Sequence, residues 1–398
     1  MKRESGFSLI ELLVAIAILT IAVGATLSML TQAVNTNQAV TMLADTQENL
    51  RASMNYMVRD IIQAGESVPQ SGITIPNQGL TSIPPAAPPA NNSAINRPGL
   101  DPTDVPTIQF FNTYTTLPAI TPGGGLGYPA STPDPANPGA VLLSPTGTDI
   151  ITVIYADNTL VDANNHTLNE FPIYLAKTGL NPAGCAGGNP APAPAGTIAA
   201  DGSQVTFDPS CITINAGNTA LQPGDLIMFQ NAKGNAIETI SAVNGQTVTF
   251  GPNDLFGFNA SGAPNGTLPN LQGANSPGGP YPPTSATRIW MVTYYLDTRT
   301  NPLRPQLMRQ VNFHPPQAVG DVLENLTISY DVSEQGVPQV KANQNVLVWP
   351  DTESQIRKVN LYLAARSENA YTPTKQYFRN NLATEVNIRS LCFINQFR

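Results

Sequence analysis

Histidine and cysteine are scarce in this 398-residue chain, which has two of the first and three of the second. Zinc and most transition-metal sites draw on those side chains, so a metal centre has little to be built from. His166 and His314 lie 148 positions apart, and no serine sits in a Gly-x-Ser-x-Gly setting. A catalytic triad would have to be gathered from scattered residues, so the reading is no enzyme and no cofactor. Charge is thin as well. Asp, Glu, Lys and Arg make up 12% of the chain, against roughly 25% in soluble globular domains. The formal net charge of −8 disfavours nucleic acid as the main ligand. Cations are rarest in the middle. Residues 61–287 hold three (Arg97, Lys177, Lys233) against thirteen acids, whereas residues 288–398 hold twelve against nine. The middle therefore reads as an acidic, outward-facing polar surface. With 41% hydrophobic residues a packed core can form, which argues against a fully disordered chain.

What the sequence does have is one long apolar run. The nineteen residues from Leu12 to Leu30 carry no charge, close to the ~20 that cross a bilayer as a helix. Lys2 and Arg3 precede the run, and the next basic residue is Arg51. Positive charge stays inside, which puts the N-terminus in the cytoplasm and residues 31–398 outside. A secretory signal places small residues after its apolar stretch. Here the small residue, Gly6, comes before it, and Glu11 lies among apolar neighbours, where an ionisable group is costly. No proline occurs before Pro69. Val40, Leu43, Gln47, Leu50, Met54, Met57, Ile61 and Ala64 recur every three or four positions, so the helix is expected to continue. Gly65 is its stop signal. A helix over Phe7–Ala64 would be about 87 Å long.

Gly6, Phe7, Ser8, Leu9, Ile10 and Glu11, behind a short basic leader, resemble the class III signal of type IV pilins and pseudopilins. The resemblance implies cleavage after Gly6 by a membrane prepilin peptidase, N-methylation of Phe7, and a role for Glu11 in assembly. It implies an α+β pilin-like fold, with a long N-terminal helix packed on an antiparallel β-sheet domain bearing long Pro/Gly-rich insertions. Its partners would be prepilin peptidase, other major and minor pilins, and the inner membrane before assembly. The segments Met57–Gly65, Gly147–Tyr155, Pro223–Phe229, Tyr294–Leu296 with Leu307–Arg309, and Thr384–Arg389 look similar to PilW-type minor pilins. J-type pseudopilins of type II secretion look similar too but are generally shorter. The organisation expected is a leader (1–6), a transmembrane helix (7–30), its amphipathic continuation (31–65), β insertions and loops (66–284) and a C-terminal β-sheet region (285–398).

Beyond the helix the pattern is β-rich. Residues 66–148 hold 16 prolines and read mostly as loop, with one strand at Thr107–Phe111. Further strands are expected at Asp149–Tyr155, Val205–Phe207, Asp225–Gln230, Ala236–Val243, Thr247–Phe250, Arg288–Leu296, Gln306–Asn312, Leu323–Val332, Ile356–Arg366 and Thr384–Arg389. Candidate chemistry is sparse. Cys185 and Cys211 are disulfide candidates outside the cytoplasm, with Cys392 left over in an apolar run, although either could pair with Cys392 instead. Asp162, Asn164, His166, Leu168 and Glu170 alternate as in a calcium loop but lack its glycine and terminal glutamate, so a polar hairpin loop is the reading and no metal is expected. Arg299, Arg304 and Arg309 form a basic run that could meet nucleic acid, or simply a solvated hairpin edge. The acidic insertions could meet a surface ligand.

Overall fold

The computed structural model describes residues 8–76, 95–100, 110, 115–137, 139–157, 173–177, 196–207, 209, 214, 221–252, 254–260, 262–263, 265–273, 281–333, 340–347 and 351–392. Helix α1 spans Leu9–Gln63. It ends where the sequence says it should. Gly65 adopts φ +80°, and a Cβ there would come within 2.6 Å of Ser390 Oγ. The Gly65 N–H then donates to the Ile154 carbonyl at 2.8 Å, which ties the helix end to the sheet.

Strands β1 (Ile73–Thr74), β2 (Thr116–Leu117) and β3 (Ile120–Thr121) follow. A hairpin of β4 (Pro129–Pro133) and β5 (Val141–Gly147) precedes β6 (Ile151–Ala156), which is buried throughout. The middle supplies β7 (Ile173–Lys177), β8 (Gly196–Ile198), β9 (Gln204–Phe207) and β10 (Leu226–Asn231). After it come β11 (Gly234–Thr239), β12 (Ala242–Asn244) and β13 (Thr247–Thr249). The C-terminal part adds β14 (Thr284–Asp297), β15 (Gln306–Val311), β16 (Gln317–Gly320) and β17 (Leu323–Ser333). It closes with β18 (Val340–Gln344), β19 (Ile356–Arg366), β20 (Arg379–Asn387) and a short helix α2 (Arg389–Cys392).

The layout is α+β: one long apolar N-terminal helix packed on antiparallel sheets. The larger sheet has twelve strands and turns on β14, which pairs with β10, β15, β6 and β7. A second sheet runs β18-β17-β19-β20. Among the described pairings only β7 with β8 is parallel. One core holds Leu50, Met54, Met57 and Ile61 of α1 against β6, β14, β17 and β19. β17 and β19 alternate between buried and half-buried positions, as a sheet covered on one face requires.

The structure corrects several expectations. Val40, Leu43 and Gln47 face solvent, and continuous burial begins only at Thr46. Below that level the sheet side of the helix runs through Asn35, Gln38, Ala39 and Met42 instead, each partly covered. The 3.6-residue period has rotated the expected stripe away from the domain. The proline-rich stretch before residue 148 contains the β4–β5 hairpin. Its Pro129, Pro133 and Pro145 sit in a separate two-stranded ribbon, where missing N–H donors are tolerated. The strand expected over Ala236–Val243 breaks after Thr239, and the last strand starts five residues earlier than expected, at Arg379. Thr107–Phe111 lies, apart from the buried Phe110, outside the described residues.

A second core fills the β8–β13 part, with Ile198, Val205, Phe229, Val248 and Leu268. Glu238 on β11 is buried beside it, and its Oε1 accepts the Leu268 N–H at 2.6 Å. Burial pushes this carboxyl up to about 8 from its usual 4.5, and Asp254 nearby pushes the same way. The folded state thus holds a proton that the unfolded state releases. The stabilisation this gives is complete below pH 4.5 and is lost as pH rises through 8. Thermal unfolding of the full chain in detergent should show a falling midpoint across that window, and Glu238→Gln should flatten the slope.

Candidate functional site

Two stretches of α1 carry the features with functional meaning. The first is its start. Ser8 is the N-cap residue in extended conformation, and its carbonyl accepts the N–H groups of Glu11 and Leu12 at 3.0 and 3.1 Å. Glu11 lies in the first turn and is exposed, an acidic side chain at the positive end of the helix dipole. Leu9, Ile10, Leu12, Leu13, Ile16 and Ile18 are all more than half exposed, so this end presents an apolar surface with no protein around it. α1 is long and apolar enough to cross a membrane. Gly6 and Phe7 lie outside the described residues.

The second stretch is the last turns of the same helix. Asp60 is 1% exposed. A carboxylate there faces the negative end of the helix dipole and the cost of desolvation together. Arg309 on β15 answers both, donating from Nε to Asp60 Oδ2 at 2.6 Å. The Tyr294 hydroxyl donates to the same oxygen at 2.6 Å, and the Tyr155 hydroxyl donates to Oδ1 at 3.1 Å. Burial, and then the Asp60 charge, hold both phenols well above the usual tyrosine range. Burial alone would lower the Arg309 guanidinium, but the hydrogen bond and charge of Asp60, together with Tyr294 and Tyr155, hold it above the usual arginine range. One helical side chain therefore engages β6, β14 and β15 together. Lower on the helix, the Asn49 side chain pairs with the backbone of Asp321, whose N–H donates to Asn49 Oδ1 at 3.0 Å.

The other sequence candidates do not converge on these stretches. Arg299, Arg304 and Arg309 do not act as one basic edge. Arg309 is committed to Asp60, Arg304 reaches Glu368 at 3.2 Å, and Arg299 stacks over the Tyr128 ring at 5.3 Å. His314 Nε2 meets Asp225 Oδ1 at 2.7 Å, and Asp225 shares Arg288 with Asp157. The residue beside the imidazole is Gly224, and among the described residues no hydroxyl or thiol hydrogen-bonds to the ring. That chain of charges links strands and offers no nucleophile. A cleft of about 480 Å³ lies among Tyr128, Tyr295, Asp297 and Gln310. Gln310 is already used by the Gly99 N–H and the His314 carbonyl, and Asp297 caps its own turn. Among the described residues no three His, Cys, Asp or Glu side chains group as a metal site would need. Cys185, Cys211 and residues 162–170 lie outside the described residues, as does the side chain of Cys392.

Residues 1–27 match the family model for the prokaryotic N-terminal methylation motif. There the chain is similar to type IV pilins and pseudopilins. The motif supports a pilin-like protein that prepilin peptidase processes and that assembles with other pilins. No curated protein and no solved structure matches the chain. The apolar helix and the motif together fit a single-pass inner-membrane pilin, and a structural, non-enzymatic protein.

Asp60 is the site residue that sequence reasoning missed. The signal was present, since Asp60 sits three positions after Met57 and one before Ile61, on the face that becomes buried. Removing one partner of a buried ion pair costs about 3–5 kcal/mol. Asp60→Ala should destabilise the full chain by that amount in chemical denaturation, and Asp60→Leu combined with Arg309→Met should recover most of the loss.

Proposed function

We propose that the chain is a minor pilin of the PilW type, cut after Gly6, methylated at Phe7 and built into a type IV pilus at or near its tip. The observation that carries this reading is continuity. The methylation motif runs without a break into a helix whose first half is exposed and apolar and whose last turns are pinned to a large β domain. Size favours the minor role. The 333 residues after Gly65 would have a diameter of roughly 50 Å if compact, whereas the helices that bundle in a filament are each about 10–12 Å across. Such a head on every closely spaced helix would crowd the shaft, and at an end it has fewer neighbours. The acidic middle then faces outward, where it suits attachment to a surface ligand. The same motif serves type II secretion pseudopilins, but the long middle of this chain favours the pilus. A DNA-uptake role gains little support, because Arg309 and Arg304 already have acidic partners.

Three substitution and stoichiometry outcomes follow from this reading. Gly6→Ala places a Cβ where the peptidase must approach the backbone, so no mature protein beginning at Phe7 should appear by mass spectrometry. Glu11→Ala should be inserted and cleaved but enter filaments poorly, because Glu11 is the group that would pair with the new α-amino group of a pilin subunit. In sheared, purified filaments, quantitative mass spectrometry should find this chain far below the most abundant pilin, and equal copy number would overturn the minor role.

A further inference from the structure

We propose that the turn between β19 and β20 is a membrane-surface contact, through which the unassembled subunit touches anionic lipid headgroups. The proposal rests on the reading of residues 7–30 as the membrane span.

β20 lies alongside α1, and its two ends are fixed at different heights. Just past its C-terminal end, the Ser390 hydroxyl donates to the Ala64 carbonyl. Before its start, the Thr372 hydroxyl donates to Gln38 Oε1 at 3.2 Å. From Ala64 to Gln38 the helix descends about 39 Å towards the span. The turn is therefore at the end of the domain nearest the bilayer. Gln38 is eight residues beyond Leu30, about 12 Å along the axis. A headgroup layer of about 5–8 Å takes up roughly two-fifths to two-thirds of that distance. The remaining gap is shorter than the Debye length of about 8 Å at physiological salt.

The turn is ordered. The N–H of Lys375 and the carbonyl of Tyr371 bond at 2.8 Å, as do the N–H of Tyr371 and the carbonyl of Gln376. Ser367 N–H closes its base on the Phe378 carbonyl at 2.7 Å. Thr372, Pro373, Thr374, Lys375 and Gln376 are exposed, and Lys375 is the one charge among them. Behind the tip, Arg304 pairs with Glu368, while Arg366 and Arg379 share Glu324. With Lys375 that makes four cations against two carboxylates. The helix carries no charge from Leu12 to Ala44, and its nearest carboxylate, Asp45, is about 10 Å further from the bilayer than Gln38. Tyr371 and Tyr377 are half-buried at the edges of the turn, with the Arg366 guanidinium 4.6 Å from the Tyr377 ring. Amphipathic rings and a lysine suit a headgroup surface.

The test places a photo-crosslinking residue, p-benzoylphenylalanine, at Thr374 or at Lys233 in the full chain. Lys233 lies in the β10–β11 turn, next to the Ser285 end of β14 and away from Asp297. Each protein is reconstituted into phosphatidylethanolamine–phosphatidylglycerol vesicles or into phosphatidylcholine vesicles, and flotation is measured first. Position 374 should crosslink lipid several-fold more than position 233. Lys375→Glu should lower the yield at least about fivefold on the anionic vesicles and leave it unchanged on phosphatidylcholine. A chain that floats but crosslinks lipid equally from both positions overturns the contact while leaving the membrane span standing. Equal yields for Lys375 and Lys375→Glu on anionic vesicles overturn the headgroup assignment. A chain that does not float removes the span and this proposal together.

Discussion

The domain hangs from the last turns of a single helix, and the buried charge of Asp60 determines how. A carboxylate at the C-terminal end of a helix is unfavourable twice over, through the dipole and through desolvation. It persists because Arg309, Tyr294 and Tyr155 all point at it from three strands of the larger sheet. Apolar packing around Met57 and Ile61 supplies burial but tolerates sliding along the axis. A three-donor cage around one carboxylate does not, because a shift of one helical position would leave a charge buried without a partner. The helix is thereby held in register with the sheet, and Gly65 can turn the chain onto β6 at one defined height.

The same economy runs through the rest of the charged residues. At 12% of the chain they are few, and the buried ones are spent on long-range joints. Arg288 gathers Asp157 and Asp225 from two segments, and Glu324 gathers Arg366 and Arg379. Each joint crosses between strands that are neighbours in space and distant in sequence. Glu238 is the contrasting case, with a backbone N–H and no described cation beside it. It remains buried by keeping its proton, so the β8–β13 part depends on pH through this one carboxyl.

Local pattern made much of the fold readable. Leu323–Ser333 and Ile356–Arg366 alternate because one face of their sheet is covered, and that period survives in the sequence. The helix was readable from the absence of proline and the glycine at its end. The β4–β5 ribbon was not, since its prolines argue against a strand unless the strand is known to lie at an edge. Asp60 and Arg309 were on the page as residues but not as a pair. Their contact spans 249 positions, and nothing in either local segment points to the other. Arg309 looked like part of a basic run because Arg299 and Arg304 precede it at five-residue spacing. The N-terminal motif was readable for the opposite reason, since its residues are consecutive and its chemistry is local.

The polar stretch of α1 between Leu30 and Thr46 follows from these two ends. Above it the helix must match a protein core, and below it a hydrocarbon layer, and the two surfaces demand different residues. Thr46, where continuous burial starts, lies sixteen positions beyond Leu30, the end of the apolar run, about 24 Å of helix. Threonine, asparagine and glutamine fill much of it, uncharged but able to meet water, and the domain covers one side of it only in part, at Asn35, Gln38, Ala39 and Met42. A charged spacer would resist close packing of neighbouring helices, and an apolar one would sink deeper into lipid and pull the domain against the surface. A polar spacer that stays uncharged as far as Ala44, with Asp45 only at its upper end, does neither. On the pilin reading proposed above, it lets one continuous helix serve a bilayer, a bundle of other helices and a folded domain in turn, with Asp60 fixing where along the helix the domain is held.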